Sequence, residues 1–72
     1  MEAFVEGNVA VVTGASSGIG KAACLTFAST YGMSVVMVDN DEAELNKAFE
    51  EVTAIAKYKD NILTIICDVS VE

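Results

Sequence analysis

Thr13-Gly14-Ala15-Ser16-Ser17-Gly18-Ile19-Gly20 joins an apolar run, Val9-Ala10-Val11-Val12, to a stretch in which Ile19, Ala22, Ala23 and Phe27 recur at helical spacing. A buried strand that enters a glycine-rich turn and leaves as a helix is the setting a phosphate cradle requires. The first N–H groups of a helix have no intrahelical acceptor, and the helix dipole makes that end partly positive. Each glycine has its own task there. Gly14 supplies a turn conformation closed to other residues, Gly18 lets a ligand approach the backbone, and Gly20 lets the helix pack closely on the sheet. The reading is therefore of a pyrophosphate site at the helix start.

Outward from the turn, the order is strand, helix, strand, helix, strand. The first strand runs from about Asn8 to Thr13 and the first helix from about Gly18 to Tyr31, with Gly32 as its left-handed terminator. Ser34-Val35-Val36-Met37-Val38 is a continuous apolar run, as expected of a parallel strand covered on both faces, and it stops at Asp39. Asn40 or Asp41 caps a second helix, in which Leu45, Ala48, Phe49, Val52 and Ile55 form one apolar stripe. The third strand is Ile62-Leu63-Thr64-Ile65-Ile66-Cys67, ending at Asp68-Val69. Such alternation implies a parallel sheet with right-handed crossovers in the order 3-2-1 and both helices on one face. The fold class is thus α/β: residues 1–72 form one half (β-α-β-α-β) of a doubly wound, Rossmann-type sheet, an incomplete dinucleotide-binding domain. On this reading the second face of the sheet and the free edge of the first strand are both bare.

Asp39 lies nineteen positions after Gly20 and ends the second strand. A carboxylate there accepts from the adenosine ribose hydroxyls and repels a 2′-phosphate. Asn40 follows it, position 17 is Ser, and the chain has no Arg, so NAD is favoured over NADP. The remaining acidic residues, Asp41, Glu42, Glu44, Glu50 and Glu51, read as a solvated helix face.

The spacing Gly-x-x-x-Gly-x-Gly, with Thr13 in front and Ser-Ser-Gly-Ile-Gly behind, resembles the short-chain dehydrogenase/reductase family. The matches at the glycine turn, Asp39 and Asp68-Val69 fall in the family's order and span nearly the whole chain. The resemblance implies that Asp68 accepts from the adenine amino group, that the Val69 backbone addresses the ring, and that Ser16, Ser17 and Ile19 contact phosphate and ribose. It further implies hydride transfer between a nicotinamide cofactor and an alcohol/carbonyl pair in a complete enzyme several times longer.

The family's catalytic element is a Tyr with a Lys four residues on, a pairing that favours phenolate. Here Tyr31 is followed at position 35 by Val, and Tyr58 at position 62 by Ile. Both tyrosines read as packing residues with a wet hydroxyl. The family's Asn-Ala-Gly turn is also missing, and with no His in the chain Ser16 and Ser17 have no base. No catalytic residue is assigned, and the chain by itself is expected to be inactive. Val71-Glu72 follows Ser70, which has the chemistry of a third helix cap, so the sequence reads as cut within a fold unit.

Composition bounds the alternatives. Apolar residues make up 53% of the 72, enough for a core, and the formal net charge of −7 with four scattered Lys argues against nucleic acid and anionic membranes. No run approaches the ~20 apolar residues of a membrane span, and the N-terminus lacks the pattern of a signal peptide. Cys24 and Cys67 fit no metal spacing and read as small buried hydrophobes in a reducing compartment, hence a cytoplasmic protein. The alternative to the oxidoreductase reading is a non-catalytic nucleotide-binding or interaction fragment that pairs with a complementary half, or with a relative, through its open sheet; a homo-oligomer is a further partner state.

Overall fold

The computed structural model describes residues 2–6 and 8–67. In chain order the elements are β1 (Glu2–Glu6), β2 (Val9–Thr13), α1 (Gly18–Ser29), β3 (Ser34–Asp39), α2 (Glu42–Ile55), a short 3-10 turn (Lys59–Asn61) and β4 (Ile62–Ile66). The sheet order is β1-β2-β3-β4. β2, β3 and β4 are parallel, with Val11 opposite Val36 and Val36 opposite Leu63. That is the expected three-stranded unit with its two crossover helices.

The edge of β2 differs from the sequence reading. It is not bare: β1 pairs with it antiparallel over five residues, from Glu2 opposite Thr13 to Glu6 opposite Val9. Only Gly7 and Asn8 separate Glu6 from Val9, and a Gly-Asn pair between two strands is itself a hairpin signal.

The core lies on one face of the sheet, between it and both helices. Alternation along β2 and β3 sends Ala10, Val12, Val35 and Met37 to this face, where all four are fully buried. From α2, Leu45, Ala48 and Val52 meet them, one helical stripe as expected. Ile55, at the end of that stripe, is exposed instead, because α2 stops there and the chain turns away. Asp41 is the helix cap, its Oδ1 accepting from the Glu44 amide at 3.1 Å. Burial of each large apolar side chain here contributes about 2 kcal/mol.

α1 buries a different stripe from the one its large residues suggested. Gly20, Cys24 and Ala28, four apart, face the core, whereas Ile19 and Ala22 are exposed and Phe27 is half-buried. Gly32 does terminate the segment in a left-handed conformation, at φ +63°. The amide of Lys57, just past α2, donates to the Ala28 carbonyl at 3.1 Å and fastens the two helices together.

Among the described residues no helix covers the opposite face of the sheet. Leu63 is 60% exposed and Ile65 49% exposed on it, and Val9 is exposed beside them.

Candidate functional site

The carboxyl ends of β2 and β3 bring the glycine turn and Asp39 to one edge of the sheet. Gly14 ends the approach from β2 with φ +65°. A Cβ there would meet nothing nearer than the Ser17 hydroxyl at 3.8 Å, so its requirement is backbone conformation and not space. The Ala15 amide then donates to the Val38 carbonyl at 3.1 Å, which fixes the turn to β3.

Ser17 is the N-cap of α1. Its hydroxyl donates to the Gly14 carbonyl at 2.7 Å and accepts from the Gly20 amide at 3.2 Å. Its one proton is therefore committed to the turn. Gly20 owes its identity to this same turn: a Cβ would strike the Gly14 carbonyl. The close approach is thus between helix start and turn, where the sequence reading placed it between helix and sheet.

Two donors stay open at the helix start. The amides of Gly18 and Ile19 have no acceptor among the described residues. A Cβ on Gly18 would meet nothing within 4 Å, and the Ile19 side chain is 72% exposed. Free N–H groups at a positive helix end, with open space in front, suit an anion.

Asp39, at the end of β3, accepts from four donors among the described residues. Oδ2 accepts from the Ser16 amide at 2.9 Å and the Ser16 hydroxyl at 2.6 Å. Oδ1 accepts from the Asn40 amide at 2.7 Å and the Asp41 amide at 3.3 Å. The Ser16 hydroxyl, above all, holds the Asp39 carboxyl below its ordinary value of 3.8; partial burial works the other way, and the Ser16, Asp41 and Asn40 amides add to the lowering. No spacing rule links residues 16 and 39, so sequence reasoning did not pair them.

Asp68 and Val69 lie outside the described residues. β4 nevertheless delivers the chain to this edge, where the Cys67 amide donates to the Asp39 carbonyl at 2.8 Å. Cys67 is exposed, contrary to the expectation that both cysteines are buried; Cys24 alone is, and burial pushes its thiol up to about 11. Tyr31 and Tyr58 are both exposed, the Tyr58 ring lying beside Gly32. Among the described residues no group of His, Cys, Asp and Glu is placed to hold a metal ion, and no helix is long and apolar enough to cross a membrane.

Comparison with known proteins places these features in a family. The short chain dehydrogenase family model matches residues 8–72. Among curated relatives, a very-long-chain 3-oxoacyl-CoA reductase of Lodderomyces elongisporus is 42% identical over 64 residues, 89% of this chain and 17% of the relative. A short chain dehydrogenase of Pseudocercospora fijiensis is 44% identical over 50 residues, 69% of this chain and 16% of that one. An uncharacterized oxidoreductase of Staphylococcus epidermidis is 41% identical over 63 residues, 88% of this chain and 27% of its own length. The chain thus spans about a sixth to about a quarter of the relatives it matches. Because the match begins just before β2 and runs through the glycine turn, Asp39 and β4, this chain belongs to the short chain dehydrogenase family of oxidoreductases.

Proposed function

We propose that the chain is the NAD-binding N-terminal part of an oxidoreductase that moves a hydride between a nicotinamide cofactor and an alcohol/carbonyl pair. The observation that carries this reading is the pair of unpaired Gly18 and Ile19 amides at the start of α1, one strand away from the Asp39 carboxylate. The residues fit a dinucleotide. The two amides and the helix dipole would hold a pyrophosphate, and Gly18 leaves its approach clear. Asp39 would take the adenosine ribose, and its negative charge would reject a 2′-phosphate, which favours NAD over NADP. Ser16 and the exposed Ile19 would line the same path. Ser17 would serve it indirectly, as the cap that fixes the helix start. Asp68 and Val69 would address the adenine.

The bound nicotinamide supplies the hydride acceptor or donor. This chain's own residues bind and orient, and none of them is proposed as the acid or base. The reductase name of the Lodderomyces relative accords with a carbonyl substrate for the complete enzyme. A second reading, a partner-binding module, draws on the sheet face where Leu63 and Ile65 are exposed and which no helix covers among the described residues.

Titration of the 72-residue chain with NAD, and in parallel with NADP, while following its thermal melt tests the proposal. A ligand that binds only the folded state raises the melting temperature saturably. NAD is expected to do so, with NADP weaker and Asp39→Arg reversing the order. A melt that neither dinucleotide moves rejects the reading.

A further inference from the structure

The carboxylate to which the proposed function assigns a ribose has its acceptor sites already taken. A carboxylate offers about four lone-pair positions. On Asp39 they receive the Ser16 amide, the Ser16 hydroxyl, the Asn40 amide and the Asp41 amide. Any diol that binds through Asp39 must therefore displace a donor.

The four donors differ in how easily they leave. Three are backbone amides. That of Ser16 sits between Ala15, whose amide is tied to Val38, and Ser17, the cap of α1. Those of Asn40 and Asp41 lead directly into α2, with Asp41 as its cap. Moving any of them disturbs a turn or a helix end. The Ser16 hydroxyl leaves by rotation about a single side-chain bond from one staggered position to another. It is also an alcohol, like the ribose hydroxyls, and at 2.6 Å it makes the shortest of the four bonds.

We infer that the Ser16 hydroxyl is a built-in stand-in for a ribose hydroxyl. It occupies Oδ2 of Asp39 in the free protein and is the donor that a bound ribose displaces, which makes Ser16 a determinant of how strongly the chain prefers ribose to deoxyribose. The inference rests on the reading of Asp39 as the ribose acceptor. In the free state the stand-in keeps the carboxylate oriented and hydrogen-bonded. In the bound state its displacement offsets part of what the ribose gains.

The test is isothermal titration of the 72-residue chain and its Ser16→Ala, Ser16→Thr and Ser16→Cys variants with ADP and with 2′,3′-dideoxy-ADP. Both ligands carry the same phosphates, so any effect of Ser16 on phosphate cancels in the ratio of their affinities. Removing the competitor is expected to raise the preference for ADP about two- to tenfold in Ser16→Ala, the range of one net hydrogen bond. Ser16→Thr keeps the hydroxyl and should retain the original ratio. Ser16→Cys, with a weaker donor of similar size, should show a smaller increase and carries the test should the alanine variant not fold. As an independent readout, the Asp39 carboxyl titration followed by NMR should move up toward 3.8 in Ser16→Ala. ADP binding with the ratio unchanged or lowered in the variants overturns the stand-in while leaving the cofactor reading intact. If ADP binds none of the proteins, the ribose role of Asp39 fails and the inference fails with it.

Discussion

A side chain on Gly20 would collide with the carbonyl group of Gly14. The contact joins the two ends of the turn and leaves no room for a side chain at this position of α1. Because the obstacle is backbone, it cannot rotate aside. Gly20→Ala is expected to destabilise the fold by about 1–3 kcal/mol, the usual cost of overpacking, or more. Urea denaturation of the variant beside the parent chain checks this.

Gly18 should behave in the opposite way. It is at the first position of α1 with open space where a Cβ would go, so Gly18→Ala should fold with unchanged or slightly raised stability, by up to about 0.5–1 kcal/mol. The added methyl would stand in front of the free amides. A variant that melts normally but no longer responds to NAD is the expected result, and retained binding would place the phosphates elsewhere.

Acid should weaken the tie between the turn and β3. The Asp39 carboxyl titrates below its ordinary value of 3.8 in the folded protein, so its contribution is fully present above that pH and is lost as the pH falls through the folded value. Asp39→Asn removes this ionisation and should flatten the pH dependence of the melting temperature below about pH 4. An unchanged acid limb in the variant would assign the loss to other carboxylates.

The two cysteines should separate cleanly toward an alkylating reagent. Cys67 is exposed, whereas Cys24 is buried on the core face of α1 with its thiol pushed up to about 11, which suppresses the reactive thiolate. At pH 8, mass spectrometry should show one label added quickly at Cys67. The second should appear only under unfolding conditions. Equal rates at both would mean that α1 opens readily.

How much of this was legible in the chain follows from where the physics is local. The apolar run of β3, the cap and the α2 stripe each depend on residues within a turn or two: the run stands, the cap read as Asn40 or Asp41 falls on Asp41, and the stripe holds at Leu45, Ala48 and Val52, with Phe49 half-buried and Ile55 exposed. The left-handed turns at Gly14 and Gly32 were equally local. The face of α1 was not, because Ile19 and Phe27 outweigh Gly20, Cys24 and Ala28 in any hydrophobic pattern, yet the small residues are the ones that are buried. Ser16 and Asp39, twenty-three residues apart, become neighbours only when β2 and β3 align in parallel. The β1 hairpin had a local signal in Gly7-Asn8, but Glu2-Ala3-Phe4-Val5-Glu6 is short and acidic at both ends, which masks it as a strand.

That hairpin decides what β2 can still pair with. A strand accepts one neighbour on each side, and β2 already has β3 on one and β1 on the other. An unpaired strand edge is a template for pairing with another chain. Five residue pairs close that edge here, so the short amino-terminal strand stands guard over the strand that leads into the glycine turn.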